Sequence, residues 1–388
     1  MKKCFSCWLF ILLPISLAHA NDEPDLFKIS GLLMLGVTHS SERNADFASG
    51  IDHPNGAGGT RLYDFWGDSR LMMQVDGKLT PTFSTLLQVT AEHRYNNSFV
   101  PHVTEAALKW QATPDVGLRL GRQPFLTFLV PDETIAWVRP TTEIYQSGML
   151  NLYDGAQLTV EHSLGAMRLT AQGYMGAGRY PIPGELNIQL TDLMGINLLA
   201  KLGDSTFRAA HIRGRLTMHS PALDQTFALL RTLPNGNGLA DFYQVQNAPT
   251  QHRSLAYCYN SSAGYFLAEW SQFSTGDSII ADSTQGHLTA GYHFGKLTPF
   301  ATLAGKQADK VGHHPNPILN ALFANRHVGQ KSAVVGMRWN FAPQTNFKMQ
   351  YDYVINSTGA MGALGNLQPN FLPGGHYRLV SAALEHSF

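Results

Sequence analysis

Apolar and polar residues alternate along most of this chain with a period of two, the spacing of a half-buried strand. Around residue 140 the pattern is clearest. Leu118 and Leu120 share one face and Arg119 takes the other, and after a long interruption Ala156, Leu158 and Val160 oppose Gln157, Thr159 and Glu161. The same alternation begins at Phe27, Ile29, Gly31, Leu33, Leu35 and Val37. It returns at Leu71, Met73 and Val75, at Phe83, Thr85, Leu87 and Val89, and at Ala106, Leu108 and Trp110. Further on it is carried by Met167 and Leu169, by Met194, Ile196 and Leu198, and by residues 207–219, where His211, Arg213 and Arg215 share a face. The second half repeats it at 255–259, 266–270, 288–294, 299–306, 333–341, 347–353 and 377–388. The Pro- and Gly-rich residues between Gln172 and Met194 read as a loop. Residues 220–249 alone carry helical signals: Ser220 can cap, Pro221 suits a first helical position, and Leu223, Phe227 and Leu230 follow at helical spacing.

Sixteen such segments can be counted, and the connections between them fall into two classes. Seven are tight turns, and those alternating with them are mostly long, with 96–102 and 275–283 the short exceptions. A soluble sandwich has no reason to alternate short and long around a full circuit. A transmembrane barrel does, with short periplasmic turns and longer outer loops, and an even count returns both termini to one side. The length allows roughly 23 residues per strand and connection, of which a spanning strand takes about 9–11. Rings near strand ends, Trp66, Trp110, Tyr153, Tyr257, Tyr259, Trp270, Tyr292, Phe294, Trp339 and Phe341, fit an interfacial aromatic belt. The expected fold is therefore all-β: a 16-stranded antiparallel transmembrane β-barrel with short periplasmic turns and long outer loops.

Composition narrows the setting. Lys2 and Lys3, an apolar run to Leu17 and the small residues Ala18 and Ala20 read as a signal peptide, 1–20, followed by one barrel domain, 21–388. The apolar run is too short to cross a bilayer as a helix. One cysteine, Cys258, remains after cleavage, so no intrachain disulfide forms. Lys plus Arg (28) balance Asp plus Glu (28), which gives no sign of a nucleic-acid partner. Charged residues are only 14% of the chain, against 11% aromatic and 36 glycines, a mixture rich in turns and poor in helix formers. Among the histidines the best metal pair is His313–His314, whose adjacent side chains point apart in an extended loop, so no metal or other cofactor is expected. No Ser sits in a strained Gly-x-Ser-x-Gly turn and no phosphate-binding glycine loop is present, so no enzyme chemistry is expected.

The signal peptide, the terminal Phe388, the Leu-Gly-Arg-Gln run at 120–123 and the long loop after the fifth strand together resemble a Gram-negative outer-membrane porin of the sixteen-stranded general-diffusion type. Before Phe388, Leu384, Ala382 and Val380 fit the family's alternating terminal strand. His386 stands where an aromatic is common, and the Pro-Glu-Phe-Gly-Gly signature of enterobacterial loops is absent. The resemblance implies a passive channel in the outer membrane for ions and small hydrophilic solutes. It also implies a lipid-embedded homotrimer, delivered by the barrel-assembly machinery that reads Phe388. Its third loop, 124–152 here, would fold inward as a constriction carrying Asp132, Glu133 and Glu143. Facing it would be a basic wall of Arg70, Arg94, Arg119, Arg168 and Arg213, placed inward because a charge on the lipid face is costly at the midplane. Arg122 has lipid-side parity, but a bulge at Gly121 could turn it inward. Each arginine alone fits equally a solvated lumen or rim charge. The alternatives are an anion- or solute-selective porin and, outside transport, an outer-membrane enzyme or adhesin using residues 220–249.

Overall fold

A strand buried in lipid must find hydrogen-bond partners on both edges, since nothing outside can supply them. The computed structural model meets this demand by closure. It describes residues 26–388, apart from 51–52, 130–135, 146–151, 183–184, 277, 309–314 and 324–326. The signal peptide, Asp132, Glu133 and the His313–His314 pair therefore lie outside the described residues. Sixteen strands form the wall among the described residues: β1 (Phe27–Ser40), β2 (Arg70–Lys78), β3 (Phe83–Glu92), β4 (His102–Thr113), β5 (Val116–Pro124), β6 (Leu152–Leu164), β7 (Met167–Ile182), β8 (Leu186–Leu202), β9 (Ser205–His219), β10 (Ala248–Asn260), β11 (Gly264–Ser274), β12 (Ser283–Tyr292), β13 (Leu297–Ala308), β14 (Gln330–Ala342), β15 (Thr345–Asn356) and β16 (His376–Ser387). Each pairs antiparallel with its sequence neighbours, and β16 returns to β1 through Leu32↔Ser387 to Ser40↔Leu379. Reciprocal bonds between Gly31 and Phe388, 2.8 and 3.0 Å, continue this seam to the last residue.

The alternation sorts faces as a membrane barrel requires. Leu35, Met73, Leu158, Leu288, Leu303 and Val335 point outward and are exposed, while Gln74, Gln88, Gln157, Gln285 and Gln350 point inward. Exposed outward rings at Trp110, Tyr259, Tyr292, Phe294, Trp339 and Phe341 cluster toward the tight-turn ends, as an aromatic girdle does. Tyr153 is a correction to the expected belt: it is buried, points inward and packs against Phe125 and Tyr174.

The wall bends where an aromatic ring lies across a glycine on the next strand. Tyr174 faces Gly195, Tyr265 faces Gly291 and Phe300 faces Gly336 as direct cross-strand partners. A side chain at any of these glycines would overlap the ring. The same device closes the barrel, because the Phe388 ring covers Gly31.

One connection differs from expectation. Residues 173–182 and 186–193 are strand and not loop. They belong to β7 and β8, with bulges at Gly176/Gly178 and Thr191/Met194 that absorb the glycines without ending the ladder. Residues 220–247 do fold as helices, α2 (Pro221–Arg231) and α3 (Gly236–Tyr243). Ser220 takes the extended N-cap conformation and its carbonyl accepts the Asp224 N–H at 2.8 Å. Leu223, Phe227 and Leu230 form the buried stripe of α2, packed on the inward Ile188, Leu190, Leu193, Ile212, Leu216 and Met218 of β8 and β9. A further helix, α4 (Pro317–Phe323), joins them through Tyr243 and Phe323, with ring centroids 5.1 Å apart. The first and last outer loops are tied by a small sheet of Asp46–Phe47, Ala57–Gly58 and Leu364–Gly365.

Replacing Gly31 with Val drives a branched side chain into the Phe388 ring and the Met72 carbonyl, an overpacking worth about 1–3 kcal/mol. Denaturant unfolding of Gly31→Val should show that loss, and adding Phe388→Ala should cost less than its effect in the parent. Additive effects of the two changes would contradict the account of the seam.

Candidate functional site: the third loop and the open wall

After β5 the chain turns into the barrel and crosses to the far side. Its described parts, 125–129 and 136–145, are held by side chains from nine strands. Arg208 on β9 donates to the Thr127 carbonyl at 2.9 Å and to that of Leu126, and it bonds Ser254 on β10 at 3.0 Å. Glu269 on β11 accepts the Leu129 N–H at 2.6 Å and also the Tyr145 hydroxyl, which lies 3.1 Å from His287 Nε2 on β12. Trp137 Nε1 donates to Thr302 on β13 at 3.2 Å, and the Val138 N–H donates to Gln350 on β15 at 2.9 Å.

Arg139 is the central fastening. Its guanidinium reaches Asp68 at 2.7 Å and Asp352 at 3.1 Å, with Thr38 of β1 and Ser381 of β16 at 2.9 and 2.8 Å. The Phe47 ring lies 4.7 Å from it. All of these groups are withdrawn from water, where an arginine with two carboxylates and full hydrogen bonding is stable and one left unpaired is not. Beneath the loop, Ala136 and Trp137 pack on Cys258, Tyr265, Leu267, Phe300 and Val334.

The loop therefore covers the inner wall from β9 round to β1. There the lumen-facing polar groups are buried: Ser254, Glu269, Ser271, Gln285, His287, Thr302, Gln350 and Ser381. On the opposite wall, β2 to β8, polar groups of the same parity keep access to water: Gln74, Asp76, Gln88, Glu105, Lys109, Arg119, Thr159, Glu161, Arg168, Gln172 and Lys201. Arg119 is ion-paired with Glu105, and Lys109 lies within electrostatic reach of Arg119, Asp76 and Glu105.

The residues expected from sequence distribute unevenly over this geometry. Arg119 stands on the open wall, and Arg168, directly across from Lys201, stands on it near the β6–β7 turn. Arg70 has the same inward parity, close enough to act on Lys348 of β15. Arg94 lies past the end of β3 in the second outer loop, beside the Tyr95 ring at 5.7 Å. Arg122 does not turn inward. Pairing runs through Gly121 without a bulge, and Arg122 binds Asp154 on the outer face at 2.9 and 3.0 Å. Arg213 is also outward, sharing its face with the exposed Phe207, while Ile212 fills the interior. Glu143, in the short helix α1 (Thr142–Tyr145), is 1% exposed and faces the wall beside Gln330 and Ser332, not the water path. Burial there pushes its carboxyl above the usual range.

Arg208, Glu269 and Asp352 were not singled out by sequence. Arg208 shares parity with Ala210 and Ile212, which disguises a lumen position as a lipid-facing one.

No protein-family model matches this sequence, and no curated protein does. Its structure is similar to the outer membrane channel DcaP of Acinetobacter baumannii, with TM-score 0.58, 11% identity, and 93% of this chain and 97% of that chain covered. It is also similar to Salmonella typhi OmpF in complex with daunomycin (TM-score 0.54, 12% identity, 93% and 97% covered). A third similarity is to the trimer form of OmpT, an outer membrane protein of Vibrio cholerae (TM-score 0.53, 10% identity, 93% and 99% covered). The fold is that of a sixteen-stranded outer-membrane porin.

Removing Arg139 leaves Asp68 and Asp352 buried without their counter-charge, a loss of about 3–5 kcal/mol. Arg139→Ala should lower the unfolding midpoint and release the loop, seen as new proteolytic cleavage within 125–151 in the otherwise intact barrel. Unchanged protection of that segment would show that the fastening lies elsewhere.

Proposed function

We propose that the chain is an outer-membrane porin, a water-filled channel for passive diffusion of ions and small hydrophilic solutes. The observation that carries this reading is the division of the inner wall. A loop bonded along one side leaves a continuous polar surface accessible on the other, which suits a neck that passes hydrated solutes. Most of the buried lumen groups outside that surface are occupied in holding the loop, and this supports a role without catalysis. The reading includes outer-membrane placement and a homotrimer. An exposed apolar ridge above β1–β4, formed by Leu62, Tyr63, Phe65, Trp66, Phe99 and Val100, offers a surface for a second copy. It also includes recognition of Phe388 by the assembly machinery.

A preference for anions is favoured by a specific feature of the open wall. Among the described residues of β2 to β8, the inward bases Arg70, Lys78, Lys109, Arg119, Arg168 and Lys201 outnumber the acids Asp76, Glu92, Glu105 and Glu161. Charges lining a narrow aqueous path concentrate counter-ions and set selectivity.

In a planar bilayer under a salt gradient, the purified protein should give discrete conductance steps and a reversal potential on the anion side. Lys109→Glu with Arg168→Glu should move that potential toward the cation side. Absence of steps from a folded, heat-modifiable barrel would overturn the channel reading, and a potential unmoved by the charge reversals would overturn the anion preference.

A further inference from the structure

The outer surface of β8 to β10 changes character within one pair of residues. Leu198, Ala209 and Leu255 lie side by side as cross-strand partners, forming an apolar row with Phe207, Ile196 and Tyr257 around it. The next outward position on β9 and on β10 is His211 and Arg253, and above them come Arg213 and Gln251, then Arg215. Arg213 and Arg253 are both near enough to act electrostatically on His211. On β7 and β8, by contrast, apolar outward residues continue to Met175 and Met194.

Several arginines of the chain are held by carboxylates: outward Arg122 has Asp154 in a two-pronged pair, inward Arg119 has Glu105, and Arg139 has two aspartates. The arginines of the β9–β10 face are held differently. Among the described residues Arg213 reaches only Met194 Sδ, at 3.5 Å, and Arg253 reaches Gln251 Oε1 at 3.1 Å. Arg215 approaches Asp192 at 3.7 Å, with both side chains largely in solvent. Arg213 and Arg253 are exposed and have no carboxylate partner among the described residues.

We infer that this face binds the phosphorylated headgroup of an outer-leaflet lipid. The inference rests on the membrane placement proposed above. Unpaired guanidinium groups directly over an apolar wall match the two parts of such a molecule. Acyl chains lie against Leu198, Phe207, Leu255 and Tyr257, and the forked donors of Arg213 and Arg253 take phosphate oxygens where the chains end. Arginine at this depth is costly against hydrocarbon and inexpensive at the interface, where an anionic headgroup also attracts it. Free phosphate fits less well, because the patch lies on the outward face of the wall and is bordered by exposed apolar side chains.

The test uses the full-length protein extracted in mild detergent. Bisphosphorylated lipid A should raise its thermal midpoint, and its dephosphorylated counterpart and inorganic phosphate should not. Arg213→Gln with Arg253→Gln should weaken lipid A binding at least tenfold, and Arg168→Gln, a charge loss in the lumen, should leave it unchanged. Conducting steps from the double variant in a bilayer keep a failure of this site separate from a failure of the channel reading. Equal stabilisation by the dephosphorylated lipid, equal stabilisation by phosphate alone, or undiminished binding by the double variant would each overturn the inference. Conversion of an oligomer to monomers in the double variant, with lipid binding unchanged, would assign the face to a second copy of the chain instead.

Discussion

Backbone amides and carbonyls inside a bilayer have no water to bond, and each one left unpaired costs several kcal/mol. A chain that crosses as strands must therefore bring its last strand back to its first, and much else here follows from that requirement. The seam from Leu32↔Ser387 to Ser40↔Leu379 closes the ring, and Phe388 extends it by bonding Gly31 from both sides. Curvature sufficient to close a ring demands places where the wall is thin. Glycines under the rings of Tyr174, Tyr265, Phe300 and Phe388 provide them, with each ring restoring the packing that its glycine lacks.

Closure encloses a space that sixteen strands make too wide to fill with their own side chains. The third loop divides it. The loop carries its own apolar content inward, Trp137 and Ala136 onto Cys258, Leu267 and Phe300, and its polar backbone is met by Arg208, Glu269 and Gln350. Because those partners all come from β9 round to β1, the loop lies to one side. The other side of the lumen is left open, and there Gln74, Lys109, Arg119 and Gln172 remain accessible. The asymmetry of the lumen is thus a consequence of where the loop finds its bonds.

Period-two alternation made the strands legible because each spans the boundary between lipid and water. It misled where that boundary is absent. Above the apolar belt the outer face of β9 is wet, so Arg213 and Arg215 stand outward. The inner face there is dry under α2, so Ile212, Leu216 and Met218 stand inward. The polarity rule inverts over a few residues, which is why Arg213 was expected on the inner wall and Arg208 was not. Glycines at 176 and 178 resembled a loop because a bulged strand and a turn draw on the same residue. The third loop was recognisable from its length and its position after the fifth strand. Its partners were not, because Arg139 meets Asp352 and Ser381 across more than 200 positions of sequence, and no local pattern records that.

The division of the inner wall can be tested most directly with thiol chemistry, using the native cysteine as the internal reference. Cys258 lies beneath Trp137 and should resist a charged, membrane-impermeant thiol reagent, leaving the channel current unchanged. A cysteine placed at Gln74 or Gln172 should react promptly, with a stepwise fall in current as the reagent enters the water path. Rapid modification of Cys258, together with inert cysteines at 74 and 172, would place the open path on the wrong side and contradict the account.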